Sequence, residues 1–120
     1  MIKAAYILSK LQSSFLDMKF IFTFLPYIIE LPKVYIKEGL SVSVLADTRY
    51  SLNCYGQGLP APALQWSKMD GVFSKNTIPG PDGSLHFSRI SSVDGGRYRC
   101  TASNDFGVVI TEIRLNVEGL

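Results

Sequence analysis

The sequence predicts an all-β sandwich domain, and three observations carry that prediction. Tyr98, Cys100 and Ala102 alternate with Arg97, Arg99 and Thr101, the period of two of a strand with one face buried. The segment is punctuated at both ends, by Asp94-Gly95-Gly96 before it and Asn104-Asp105-Phe106-Gly107 after it, with Gly107 expected to take a positive φ. A second cysteine, Cys54, and the lone Trp66 twelve residues beyond it lie upstream on segments of the same alternating kind.

With 120 residues the chain has room for one domain of about a hundred residues. Hydrophobic residues make up 47% of it, enough for a packed core and against general disorder. The net charge of +2, to which Lys3, Lys10 and Lys19 ahead of the domain contribute, lacks the concentrated basic stripe of a nucleic-acid binder. Two thiols with His86 as the single histidine do not complete a four-ligand zinc site. The economical reading is a Cys54–Cys100 disulfide, which closes a loop of about 47 residues and contributes roughly 4 kcal/mol. It would place the protein in an oxidising compartment; a reduced, buried pair is the alternative.

Residues 1–30 are set apart from the domain. Phe20 to Ile29 is an apolar run of ten, too short to span a bilayer and of the length of a signal-peptide core. Asp17 and the long leader before it do not fit a signal peptide, whereas a start at Met18 would lead straight into the run. The segment is expected to be a signal peptide, an uncleaved anchor, or a disordered or artefactual extension.

The domain is expected over residues 31–118. Pro32 opens it, at the start of an edge strand where proline is tolerated, and Lys33 to Lys37 alternates. After Glu38-Gly39 the chain continues through Val42 and Val44, both inward. Tyr50, Leu52 and Cys54 face one way along the next strand. Gly58-Leu59-Pro60-Ala61-Pro62 is an extended connection, and Leu64 and Trp66 point inward on the strand that follows. Between Val72 and Gly83 a strand is expected to be very short or absent, before the double turn at Pro79-Gly80-Pro81-Asp82-Gly83. Leu85 and Phe87 face inward, and Ile90 and Val93 are expected to plug the bottom of the core. The last strand runs from Val108 to Val117 with Ile113, Leu115 and Val117 inward. The uneven parity of Val108-Val109-Ile110 suggests a bulge.

Cys54…Trp66…Asp94-x-Gly96-x-Tyr98-x-Cys100-x-Ala102-x-Asn104-x-x-Gly107, with Gly58-x-Pro60-x-Pro62 ahead of Trp66, resembles an intermediate-set (I-set) immunoglobulin domain over residues 31–118. The resemblance implies an immunoglobulin-like Greek-key β-sandwich, its first strand passing from one sheet to the other. Trp66 would lie over the disulfide, and the Tyr98 hydroxyl would bond a backbone group just upstream. Gly96 and Gly107 would be structural, and Asp94 would cap amides or pair with a basic group, for which Lys68 and Lys75 are the nearest. The stretch from Gly83 to Ile90, with Gly95 to Cys100, is also similar to an ectodomain repeat of the inactive tyrosine-kinase-seven (off-track) receptors. Such domains occur as beads in tandem arrays, so neighbouring immunoglobulin domains in a longer parent are expected partners.

No enzyme motif is present. His86 lies between inward Leu85 and Phe87 and so points outward, away from any partner nucleophile. Asp70, Asp82 and Asp94 fall in turns, where aspartate is ordinarily structural. No Asn-x-Ser/Thr acceptor for N-linked sugar occurs. The reading is a non-catalytic extracellular or cell-surface module for adhesion or receptor recognition, with a protein partner, homophilic or heterophilic, and no cofactor, metal, nucleic acid or small-molecule substrate. An intracellular structural bead of a muscle or cytoskeletal protein is the alternative. The expected docking surface is the outward face bearing Gln65, Ser67, Arg97, Arg99, Thr101, Glu112 and Arg114. Phe106, at a loop tip, is expected either to anchor a contact or to tuck against its own hairpin.

Overall fold

The computed structural model describes residues 28–119. Most of the apolar run from Phe20 to Ile29, the Met18 start and most of the 1–30 segment lie outside the described residues. Among the described residues, eight strands form two four-stranded sheets. They are β1 (Glu30–Ile36), β2 (Ser41–Leu45), β3 (Tyr50–Leu59), β4 (Ala63–Lys68), β5 (Thr77–Pro79), β6 (Ser84–Phe87), β7 (Gly96–Asn104) and β8 (Gly107–Glu118). One sheet has the order β1-β3-β6-β5 and the other β2-β8-β7-β4. Every pairing is antiparallel except β2 with β8, which is parallel. The turn after Ile36 therefore carries the chain from one sheet to the other, as the resemblance implies.

Local chemistry explains most boundaries. Pro32 has no N–H to give to a ladder, and the pairing of β1 with β3 shifts register between Glu30 and Lys33. The strand accordingly starts slightly earlier than expected, at Glu30. β3 is longer than the period predicts. Tyr55 to Leu59 continue as strand because β1 supplies partners for them, so Leu59 lies in a strand rather than in a connection. Leu59–Pro60 is a cis peptide at the turn that follows. β5 is three residues long, within the expectation of a very short strand.

The core is the space between the sheets. Ile36, Leu52, Leu85, Phe87, Ile90, Tyr98, Ile113 and Leu115 fill it around Cys54, Cys100 and Trp66. Cys54 on β3 and Cys100 on β7 form a disulfide that joins the two sheets. Trp66 is the register partner of Cys100. Its indole N–H donates to the Gly83 carbonyl at 2.8 Å, which also accepts the Cys54 amide at 2.9 Å.

The bottom of the sandwich corrects one expectation. Ile90 is fully buried but Val93 is 66% exposed. Val93 belongs to the 3-10 turn Ser92–Asp94, and that turn puts Asp94 inside instead. Asp94 is 1% exposed and accepts hydrogen bonds from the Ser74 hydroxyl at 2.7 Å, the Thr77 hydroxyl at 3.3 Å and the Ser91 amide at 2.8 Å. Of the two arrangements expected for Asp94, an amide cap or a basic partner, the structure has the amide cap, joined by hydroxyl donors. Lys68 turns elsewhere, donating to the Val93 carbonyl at 2.7 Å and lying over the Tyr98 ring. The Tyr98 hydroxyl donates to the Asp94 carbonyl, closing the corner. Burial first, and then the carboxylates of Asp94 and Asp70, push the Tyr98 phenol well above the usual tyrosine range.

Gly96 has φ +143°, and a Cβ there would lie 3.2 Å from the Asp70 carboxylate. Gly107 does not take a positive φ. Asn104 pairs directly with Gly107 across a two-residue turn, and the Asn104 side chain accepts the Phe106 amide at 2.9 Å, so the turn forms without a left-handed residue. What Gly107 supplies is room, since a Cβ would come within 3.1 Å of Leu31 Cδ2.

Candidate partner-binding face

The pairing of β7 with β8 runs without interruption from Gly96–Leu115 to Asn104–Gly107. The expected bulge is absent. The parity set by Ile113 and Leu115 is thus kept along the whole strand, and it turns Val108 and Ile110 outward, where they are 65% and 51% exposed. Extrusion of two β-branched residues follows from register, which the local hydrophobic pattern does not encode.

The outward face of the β2-β8-β7-β4 sheet is therefore built in rows. Ala63, Ser103 and Val108 form one row, and Gln65, Thr101 and Ile110 the next. Ser67, Arg99 and Glu112 follow, and then Arg97 opposite Arg114. The expected residues all lie on this face. Phe106, by contrast, sits in the turn beyond Asn104, roughly 23 Å along β7 from Arg97, and is 41% exposed.

Glu112 is the electrostatic centre of the basic half. Arg97 donates to its Oε1 at 3.0 Å, while Arg99 donates to its Oε2 through Nε at 3.2 Å and through its terminal nitrogen at 2.8 Å. These bonds, from Arg99 first and Arg97 second, hold the Glu112 carboxyl below the ordinary glutamate value of 4.5. The unfolded chain then takes up this proton at a higher pH than the folded domain does. Stability from the clip is complete above about pH 4.5 and is lost as pH falls through the depressed folded value. Glu112→Gln is expected to flatten the decline of Tm with acidification below pH 4.5, measured by thermal melts across pH 2–6. An unchanged slope would show the clip to be energetically silent.

Beside this clip lies an open cleft of about 420 Å³ lined by Leu40, Arg97, Glu112, Ile113 and Arg114. Leu40, which sequence reasoning did not single out, is 80% exposed. Its parity with Val42 would suggest an inward side chain, but it precedes β2, just after the Gly39 turn, and strand alternation does not extend across a turn.

The opposite sheet carries a second polar cluster. His86 is exposed, as expected, but both ring nitrogens are engaged, Nδ1 by the Ser51 hydroxyl at 2.7 Å and Nε2 by the Ser84 hydroxyl at 2.8 Å. Ser84 in turn donates to Asp82, which lowers the Asp82 carboxyl. The order is Asp–Ser–His–Ser. In a catalytic triad the aspartate contacts the imidazole and the serine is free to attack; here the aspartate accepts the hydrogen bond of the serine hydroxyl and Ser84 is 3% exposed. The cluster braces the turn before β6. Among the described residues no group of three or more His, Cys, Asp or Glu could hold a metal ion.

An immunoglobulin-domain family model matches residues 32–104. The chain is 33% identical over 96 residues to human hemicentin-1, covering 74% of this chain and 2% of that protein. It is 41% identical over 69 residues to neural cell adhesion molecule L1 of Takifugu rubripes, covering 56% of this chain and 5% of that protein. The chain thus spans a small fraction of the relatives it matches. Among solved structures, extracellular domains 3–5 of Drosophila OTK superpose with a TM-score of 0.64 at 22% identity, over 76% of this chain and 32% of that one. That likeness, to a protein of the off-track type, shows a shared fold. With its disulfide-joined sandwich, its buried tyrosine corner and its match to the family model, the chain belongs to the immunoglobulin superfamily.

Proposed function

We propose that this domain is an extracellular, non-catalytic binding module for cell adhesion or receptor recognition, one bead of a multi-domain parent. The observation that carries the reading is the Cys54–Cys100 disulfide, fully buried between the sheets. Such bonds form and persist in oxidising compartments. Similarity to hemicentin-1 and to a neural cell adhesion molecule supports the same reading. The module acts by surface complementarity through the outward face of β7 and β8, with a protein as its partner, homophilic or heterophilic.

The test is an intact mass of the protein from its native cell, alkylated under non-reducing conditions. No labelled thiol is expected. Two labelled thiols would overturn the extracellular reading and leave the intracellular structural bead in its place.

A further inference from the structure

The cleft beside Glu112 deepens the proposed function and rests on it. Arg97 and Arg114 are direct register partners on neighbouring strands, both pointing outward. Like charges placed opposite each other on a sheet destabilise it. One carboxylate is at hand, and both of its oxygens are already held, Oε1 by Arg97 and Oε2 by Arg99. Arg114 has no acidic partner among the described residues. Three guanidinium groups thus face one carboxylate; two of them are clipped to it, and the third, Arg114, adds only a like charge to the isolated domain.

The surroundings of Arg114 are specific. Its amide donates to the Leu40 carbonyl at 3.0 Å, which fixes the exposed Leu40 beside it. Ile113, 1% exposed, is the second apolar residue of the lining, after Leu40. The cleft therefore offers an unpaired guanidinium fork and an apolar rim within a volume of about 420 Å³, the size of one or two side chains.

We propose that this cleft receives a segment of a partner protein in which an aspartate or glutamate stands next to a large apolar residue. The carboxylate engages Arg114, whose planar fork matches it in a two-pronged hydrogen bond, and the apolar neighbour packs on Leu40. A sulfated polysaccharide fits less well. Its repeated anions would meet Glu112, and Leu40 offers it nothing.

The full chain, oxidised, is tested against acetylated and amidated hexapeptides holding a single Asp-Leu or Glu-Phe pair, with Asn-Leu and Gln-Phe versions as controls and a heparin octasaccharide in parallel. Wild type is expected to bind the acidic peptides at least about tenfold more tightly than the amide versions. Arg114→Glu is expected to abolish that preference. It should also hold or raise Tm, because it removes the like-charge pair and gives Arg97 a second carboxylate. Arg114→Lys is expected to weaken binding about threefold or more, a point charge replacing the fork. Leu40→Ser is expected to weaken binding without altering Tm.

No preference for the acidic peptides, or an Arg114→Glu variant that keeps the preference, overturns the proposal. A fall in Tm with Arg114→Glu would assign Arg114 a structural role and overturn it as well. Arg114-dependent binding of heparin alone replaces the peptide with a polyanion. An oxidised chain that binds no peptide sinks the cleft and leaves the extracellular module standing, whereas labelled thiols sink the module itself.

Discussion

Replacing Cys54 and Cys100 together by alanine is expected to lower the unfolding free energy by roughly 4 kcal/mol. The two cysteines are 46 residues apart, and the bond between them removes from the unfolded chain the freedom of that whole loop. Domains of this size hold only about 5–15 kcal/mol in total, so the loss takes roughly a quarter or more of the stability. It corresponds to a fall in Tm of about 20 °C. The bond also joins β3 to β7, one strand from each sheet, so its removal acts on the contact between the sheets. Urea unfolding of the oxidised wild type against the double variant measures the difference, each curve fitted with its own m-value because loss of the cross-link expands the unfolded chain. A loss below about 1 kcal/mol would mean that the unfolded chain is already compact enough for the bond to constrain little.

Gly83→Ala is expected to cost about as much, roughly 4 kcal/mol, through backbone strain and collision together. Gly83 has φ +87°, and an added Cβ would lie 2.5 Å from the Cys54 carbonyl oxygen and 2.7 Å from Leu64 Cδ1. The first of these atoms is backbone of β3, which carries the disulfide, so it has little freedom to yield. The Gly83 carbonyl accepts from both the Cys54 amide and the Trp66 indole, and a shift of residue 83 loosens both bonds. Gly39→Ala is the control. Gly39 has φ +94° with nothing near a Cβ, so it carries the conformational cost alone, about 1–2 kcal/mol. Equal losses for the two variants would show that the collision relaxes away.

The frame of the domain was legible in the sequence. Alternation from Arg97 to Ala102, the spacing of Cys54 and Trp66, and Tyr98 two residues before Cys100 located the strands, the disulfide and the buried tyrosine. They also placed Arg97, Arg99, Glu112 and Arg114 on one outward face. Each of these is a local property, since alternation along a strand decides which side chains share a face without reference to the rest of the chain.

Other features depended on which strand lies beside which. The uneven parity at Val108–Ile110 suggests a bulge, but the ladder with β7 holds register and turns Val108 and Ile110 outward. Val93 reads as core by hydrophobicity, yet the 3-10 turn exposes it and buries Asp94 among Ser74, Thr77 and Ser91. Leu59 and Gly107 were read from turn chemistry, while β1 decided both, through its pairing with β3 and through Leu31 against Gly107.

By itself, then, the sequence determined the sandwich, the pair of cysteines inside it and the face on which the arginines gather, because hydrophobic period and residue spacing are written along the chain. Only the tertiary structure decided that Gly83 binds Cys54 and Trp66 together, that Glu112 is shared by Arg97 and Arg99, and that Arg114 is left beside an exposed Leu40. Those are distances between residues far apart in sequence or on facing strands. They come into being when the sheets pair and pack.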